Sequence, residues 1–408
     1  MGDPINNFFL DDAQKLDDPF GDLAWLREHR PVHRHEPIGQ WFVFPYDDVR
    51  SLFADKRMSA DRIAGFADAA PASVRDEVRQ IVPYLETWLI FRDGTGHSHL
   101  RSVLHRGFNT KAIEAMREPI ERIANELLDR ATDAGRLDVA ADYGFLLPAY
   151  VLSDFMGVRP EDRGRVVQWS ADFVDFFNVI PITEDTTHRM IRSATEMTEH
   201  WRRLLSERAR DSRDDFMGVM AAAVRNREIG EQEMVGSAML LLIAGHLPVR
   251  NLIGNVVWLL LEHPAEHERL RKDASLLTSV IEEALRLEPP VAAIPRIALE
   301  DISIRDQLIS AGEIVQLSIA AANRDPSHFP HPDRFDAARN PHGVLSFGHG
   351  PHGCLGARLA KEQATIALEV LFRRLGPDFC IDPARKVTWY RNAGNRGPEA
   401  LPVSFASG

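Results

Sequence analysis

The stretch Phe347-Gly348-His349-Gly350-Pro351-His352-Gly353-Cys354-Leu355-Gly356 decides how this chain is read. Its glycines at 348, 350, 353 and 356 let the backbone turn sharply and lie close against a flat object. A helical pattern begins directly afterwards, from Ala357 through Leu371, so Cys354 stands just ahead of a helix N-terminus. Free N–H groups and the helix dipole at such a place favour a thiolate. A thiolate held by backbone donors is a ready ligand for a metal centre. A lone cysteine in a tight turn would more often be a small buried apolar residue, so the weight of the reading falls on the surrounding pattern.

Outward from that loop, the bulk properties are those of an ordinary globular chain. Of 408 residues, 44% are apolar and 26% charged. The formal net charge of −12 argues against a general nucleic-acid binder, because phosphate contacts need clustered cations. It leaves room for a local basic patch facing an acidic protein partner. The two cysteines, Cys354 and Cys380, are too few for a disulfide framework and imply a reducing compartment. Cys380, between Phe379 and Ile381, reads as core. Met1 to Gln14 carries Asp3, Asp11 and Asp12 and no apolar run, so a secretory signal is not expected. The longest apolar stretch, Ala238 to Val249, is interrupted by His246 and Pro248. A bilayer span needs about 20 apolar residues, so a buried helix is expected there. The expectation is a soluble cytoplasmic protein that binds neither membrane nor nucleic acid.

Helical patterns dominate the chain. Apolar spacings of three and four run over Leu104–Leu128, Phe145–Phe155, Val257–Leu270, Leu276–Leu287 and Arg358–Leu375. Strand-like pieces are short: Gln40–Phe44, Ile302–Ile304 and Ile314–Ser318. Pro and Gly cluster between Pro326 and Gly356, so that stretch is mostly loop. The fold class is therefore mainly α with a small β portion, and residues 1–408 are expected to form one domain. From about Met234 to Glu262 the pattern is apolar nearly all round, as for a helix through the core. That helix nevertheless contains Gly245, Pro248 and Gly254. An interior proline costs roughly 3 kcal/mol, so the position calls for a local reason.

Two further constellations are weak alone. Glu283 and Arg286 lie three apart on one helix face, a spacing usually met in exposed ion pairs. His97 and Arg101 lie four apart, which would also suit an exposed polar helix start. Together with the cysteine loop they acquire meaning. Phe347, Gly348, Gly350, His352, Cys354 and Gly356 at these offsets resemble the ligand-loop signature of the cytochrome P-450 family. The resemblance implies the family's fold and a haem b cofactor with Cys354 as its axial iron ligand. It implies that Glu283 and Arg286 form a buried pair, joined by Arg334 from Pro332-Asp333-Arg334-Phe335, which holds the ligand loop. It also implies that His97, Arg101, Arg296 and His352 bind the haem propionates, anions that require cationic or charge-assisted donors when buried. The family's Asp-Pro-Pro-x-His-x-x-x-Arg appears here as Asp93-Gly94-Thr95-Gly96-His97-Ser98-His99-Leu100-Arg101, with both prolines replaced. Ala141 to Val158 and Asn323 to Pro326 extend the resemblance over nearly the whole chain.

One segment departs from the pattern. The family's central helix reads Ala-Gly-x-acid-Thr, and its acid and alcohol relay protons to the dioxygen being cleaved. Here the segment is Ala244-Gly245-His246-Leu247-Pro248, and neither Leu247 nor Pro248 can relay a proton. His246 could be imagined as a substitute acid–base, although a core histidine is the more frequent reading, and Asn251 is a weaker polar candidate. A peroxide-using class of the family has Arg-Pro at the two positions; this chain has the proline without the arginine, and Arg250 should point away. The resemblance thus implies a monooxygenase taking electrons from a ferredoxin and ferredoxin reductase. Its expected substrate is a specialised small molecule, free or tethered to a carrier protein, in a largely apolar pocket. Trp88, Phe91, Phe173, Phe176 and Phe177 fall near the family's recognition segments. The alternatives are peroxide-driven oxidation, phenol coupling or rearrangement, and, further off, a haem protein without catalysis. A monomer is expected.

Overall fold

The computed structural model describes residues 17–63, 66–129, 135–178, 183–211, 213, 215–376, 378–390 and 394–405. The N-terminal segment Met1 to Gln14, read above as lacking a signal, lies outside these described residues.

The helix expected over 234–262 is longer than its apolar pattern, running Glu231–Glu262. At 1.5 Å per residue it spans about 48 Å. Acidic Glu231 and Glu233 complement its N-terminus, and Glu233 also accepts the Gly230 N–H at 2.9 Å. It ends before Pro264, which opens a separate helix, Pro264–Lys272. The pattern over Val257–Leu270 therefore covers two helices. Around the central helix pack Leu146–Met156, Arg163–Asn178, Glu184–Arg210, Leu277–Leu287 and Ala357–Leu375. Its residues Leu240, Leu242, Val249, Ile253 and Val256 belong to the main apolar core. The helix is long and apolar enough to cross a membrane, but most of it is buried inside the protein.

The pattern over Leu104–Leu128 resolves into Gly94–His105, Thr110–Glu114 and Arg117–Asp129. Gly107 breaks it, because a side chain there would collide with the Phe216 ring at 2.4 Å. Asn109 then starts the next turn, its side chain accepting from the Ala112 N–H.

The principal sheet has five short strands in the order Val32–His35, Gln40–Val43, Ile314–Ser318, Ala293–Ala298 and Met58–Ser59. The Ala293–Ala298 strand has no alternating pattern and contains Pro295, which hid it in the sequence. Proline is tolerated because Met58–Ser59 pairs only with Ala298 and Ile297, leaving the Pro295 edge outside that ladder. This sheet has a second core around Trp41, Val43, Phe53 and Leu317. Cys380 lies on a short strand, Cys380–Ile381, and is exposed, contrary to the core position expected for it. That strand pairs on one side only, with Pro402–Ser404, and the Cys380 Sγ lies 3.4 Å from the Ser404 Oγ.

Candidate active site

The cysteine loop is held by its own backbone. The Cys354 N–H donates to the Phe347 carbonyl at 2.8 Å, Gly353 to Gly350 at 3.0 Å and Gly348 to Leu345 at 2.8 Å. Gly348 and Gly350 sit at φ +70° and +71°, a region where other residues are strained. At Gly350 a side chain would also press on the Phe53 carbonyl at 3.1 Å. The helix Ala357–Leu375 starts three residues after the cysteine. Cys354 is accessible, yet enclosed enough that burial pushes its thiol up. The Gly356 N–H and the Arg101 charge act against that rise and favour the thiolate.

Behind the loop lies a fully buried ion pair. Arg286 donates from Nε and Nη2 to both Glu283 oxygens, at 2.7 and 2.8 Å. Its remaining donors reach the carbonyls of Asn323 and Arg334 at 3.1 and 3.2 Å. The third member differs from the expectation. Arg339, not Arg334, reaches Glu283, with Nε–Oε1 at 2.8 Å. The Arg334 side chain is exposed, and its contribution is its carbonyl, which accepts from Arg286 and from Arg339. The chain reverses through Asp336–Arg339, where Arg339 N donates to Asp336 O, and this turn aims residue 339 inward. The sequence reading placed Asn323 in a family-like stretch but gave it no role. Its amide donates to Ser346 Oγ at 2.9 Å and its oxygen accepts from Leu345 N at 2.9 Å, fixing the chain just before Phe347. Ser346 and Leu345 carry no pattern that would have flagged this link.

The residues expected at the propionates converge. His97 is buried, and its Nε2 has no hydrogen-bond partner. Its ring lies 4.1 Å from that of His352, centre to centre. His352 Nε2 is 3.3 Å from Asp93, and burial first, then His97 and Arg296, bring its pKa down to about 4. Burial and Arg101 likewise push His97 down. Arg296 is buried, with Nη1 on the Pro295 carbonyl at 3.0 Å. Neither Arg101 nor Arg296 has a carboxylate within ion-pair distance among the described residues. Asp93 begins the Gly94–His105 helix despite the lost prolines. A buried donor without a partner, among guanidiniums without counter-ions, fits an anionic group entering from outside the chain.

The central helix supplies the opposite wall. Leu240, Leu242, His246, Leu247 and Val249 are buried, whereas Ala244 is exposed and Leu241, Gly245 and Pro248 are partly so. These accessible positions recur at three and four residues, so one face of a core helix borders open space. Gly245 lies at the margin of this face, where a Cβ would approach the tip of the Leu152 side chain at 3.0 Å. His246 faces away from the space: Nδ1 pairs with Ser170 Oγ and Nε2 with the Phe145 carbonyl, both at 2.5 Å. Burial holds its pKa at about 4, so it is a neutral core histidine. Arg250 donates to the Ala140 and Glu399 carbonyls and also turns away. Asn251 is wholly buried with neither amide atom partnered. Trp88, stacked on Phe91 at 5.9 Å and against Phe173 and Phe177, keeps an unpartnered indole N–H.

The cations near the cysteine helix that could face an acidic partner are paired within the chain. Arg106 meets Glu228 at 2.8 Å, Arg358 meets Glu114 at 3.0 Å and Lys361 meets Glu282 at 2.5 Å.

A helical frame about one long core helix, with a glycine-framed cysteine ahead of a helix and a cationic cluster beside it, defines a haem-thiolate class of protein. The cytochrome P450 family model matches residues 66–383, and the chain belongs to that family. It is similar to the cytochrome P450 monooxygenase PikC of Streptomyces venezuelae, 34% identical, over 96% of this chain and 92% of the relative. It is 30% identical to the polyketide biosynthesis cytochrome P450 PksS of Bacillus subtilis, over 95% of this chain and 96% of the relative. The structure of P450BioI in complex with a fatty-acyl carrier protein superposes with a TM-score of 0.87 at 29% identity, over 96% and 100% of the two chains. The protein is a cytochrome P450 monooxygenase, and its cofactor is iron protoporphyrin IX.

Proposed function

We propose that the chain oxidises a specialised-metabolite small molecule with dioxygen, drawing electrons from a ferredoxin and its reductase. Cys354 would supply the thiolate to the haem iron, and His97, Arg101, Arg296 and His352 would hold the propionates, with Phe347, Gly348 and Gly356 shaping the floor. The observation that carries this assignment is the unpartnered buried Nε2 of His97, set among arginines that lack counter-ions. Bound there, the haem supplies activation of dioxygen and the oxidising equivalent. The chain's own residues shape what reaches it. Ala244 and Pro248 line the accessible face of the central helix. Because Pro248 has no N–H, the Ala244 carbonyl lacks its helical donor and is free to accept from a water or a substrate hydroxyl. The unpartnered Asn251 amide follows one turn on. With Leu247 buried and aliphatic, protons come from the substrate and from water held at these atoms.

The names of relatives in polyketide pathways and the carrier-bound P450BioI support a polyketide-like or carrier-tethered substrate. The Trp88, Phe91, Phe173 and Phe177 group supports an apolar, aromatic pocket. The Leu247–Pro248 replacement favours a second reading, peroxide-driven or rearranging chemistry. Turnover with isotopically labelled dioxygen, ferredoxin and reductase decides between them: label in the product supports the monooxygenase reading. Unlabelled product, or equal rates with peroxide alone, overturns it.

A further inference from the structure

We infer that Arg62 is a third guanidinium of the propionate cradle, beside Arg101 and Arg296; the inference rests on the haem assignment above. The short strand Met58–Ser59 pairs Ser59 with Ile297, which brings the following residues alongside Pro295 and Arg296. Arg62 Nη1 then donates to the Ala60 and Pro295 carbonyls at 3.1 and 3.0 Å. Arg296 Nη1 donates to the same Pro295 carbonyl at 3.0 Å. Two guanidiniums thus converge on one carbonyl. Burial, and then the Arg296 charge, lower the Arg62 pKa to about 10.

No carboxylate lies within ion-pair distance of Arg62 among the described residues. The two acids that act on Arg62 are engaged elsewhere, Asp93 by Ser59 Oγ, by the Ala60 N–H and by His352, and Asp61 by the Ile63 N–H. Asp61 and Asp93 temper the charge on Arg62 without pairing with it, so the adjacent guanidiniums of Arg62 and Arg296 are enclosed with no carboxylate in direct contact. Burying adjacent unpaired cations is strongly unfavourable unless anions arrive. The carbonyl bonds alone would not require a charge, since a neutral donor would serve them.

Arg62 also stands over the Phe91 ring at 5.1 Å, and Phe91 stacks on Trp88. A merely structural Arg62 would act as a clamp on that aromatic segment, and the test separates the two roles. In purified holoprotein, Arg62→Gln and Arg62→Lys are compared for haem transfer to apomyoglobin and for midpoint potential. The carbon monoxide band serves as a check that thiolate ligation persists. Arg62→Gln should keep the band, release haem about tenfold faster and shift the potential negative, because a lost cation disfavours the reduced state. Arg62→Lys should retain most of both properties, since it keeps the charge but cannot span both carbonyls. Equal impairment by Lys and Gln assigns Arg62 to clamping and overturns the inference, as does an unchanged release rate and potential in Arg62→Gln. An unsubstituted protein without the thiolate band would instead overturn the haem assignment itself.

Discussion

Pro248 removes two groups at once, the hydroxyl that would relay a proton and the N–H that would occupy the Ala244 carbonyl. The first loss disables a route and the second opens an acceptor on the accessible face. Turnover should therefore be well coupled with the native substrate, while analogues lacking its polar group bind yet leak electrons to hydrogen peroxide. Pro248→Thr should leave native turnover little improved and restore coupling with those analogues. The ratio of product formed to NADPH consumed reads this directly, and native turnover as uncoupled as that of the analogues would refute it. Cys354 admits a simpler test. Carbon monoxide added to the reduced protein should give the long-wavelength Soret band of a haem-thiolate, and Cys354→Ala should abolish it. A surviving band would remove Cys354 from the iron.

At the scale of elements, the Glu283–Arg286 pair ties the Leu277–Leu287 helix to the segments around Asn323 and 330–339. Breaking one half of a buried pair costs roughly 3–5 kcal/mol, a large part of a domain's stability. Glu283→Ala or Arg286→Ala should therefore lose haem incorporation and fold poorly. Arg339→Ala should weaken the fold measurably, whereas Arg334→Ala should stay within about 0.5 kcal/mol, because only its backbone is used. Thermal unfolding that ranks Arg334→Ala beside Arg286→Ala would contradict this geometry. The contrast shows what the sequence could disclose. Spacing of three placed Glu283 and Arg286 on one face, and a continuous apolar pattern marked the central helix. The partner contributed by a loop depended on a turn with no periodic signature, so the motif pointed to the wrong arginine. Likewise His97 and Arg101 stood out through their spacing, whereas Arg62 itself and the role of Asn323 become visible only once the strands and loops are placed. His246 joins the central helix to the Arg163–Asn178 helix through Ser170. Its pKa is held at about 4, below the ordinary histidine value near 6.5. The unfolded chain thus takes up this proton first as pH falls. Stability should be intact above pH 6.5 and decline towards pH 4, by up to roughly 3 kcal/mol from this residue. Unfolding midpoints against pH should show less of that decline in His246→Gln, and an identical slope would assign the loss to other groups.

At the scale of the molecule, the net charge of −12 sets a problem for electron delivery, since the proposed ferredoxin is itself acidic. Like net charges repel at long range, so docking must rest on a local cationic field within about one Debye length, ~10 Å at 0.1 M salt. The cysteine side of the fold carries Arg106, Arg358 and Lys361, but Glu228, Glu114 and Glu282 neutralise much of their field. Arg101 has no such partner among the described residues, and its charge acts on His97 and Cys354. The pairs involving Arg106 and Arg358 lie at the surface and are screened by solvent, so an incoming carboxylate can exchange with them at small cost. Reduction by an acidic ferredoxin should accordingly slow as ionic strength rises, but less steeply than an unpaired basic patch would give. The double reversal Arg358→Glu with Lys361→Glu should slow it several-fold at low salt, since it adds two unpaired anions beside Glu114 and Glu282. Restoring the cations in the context Glu114→Gln with Glu282→Gln should speed reduction beyond the unsubstituted protein. Stopped-flow reduction rates that ignore both salt and these substitutions would place the ferredoxin on another face.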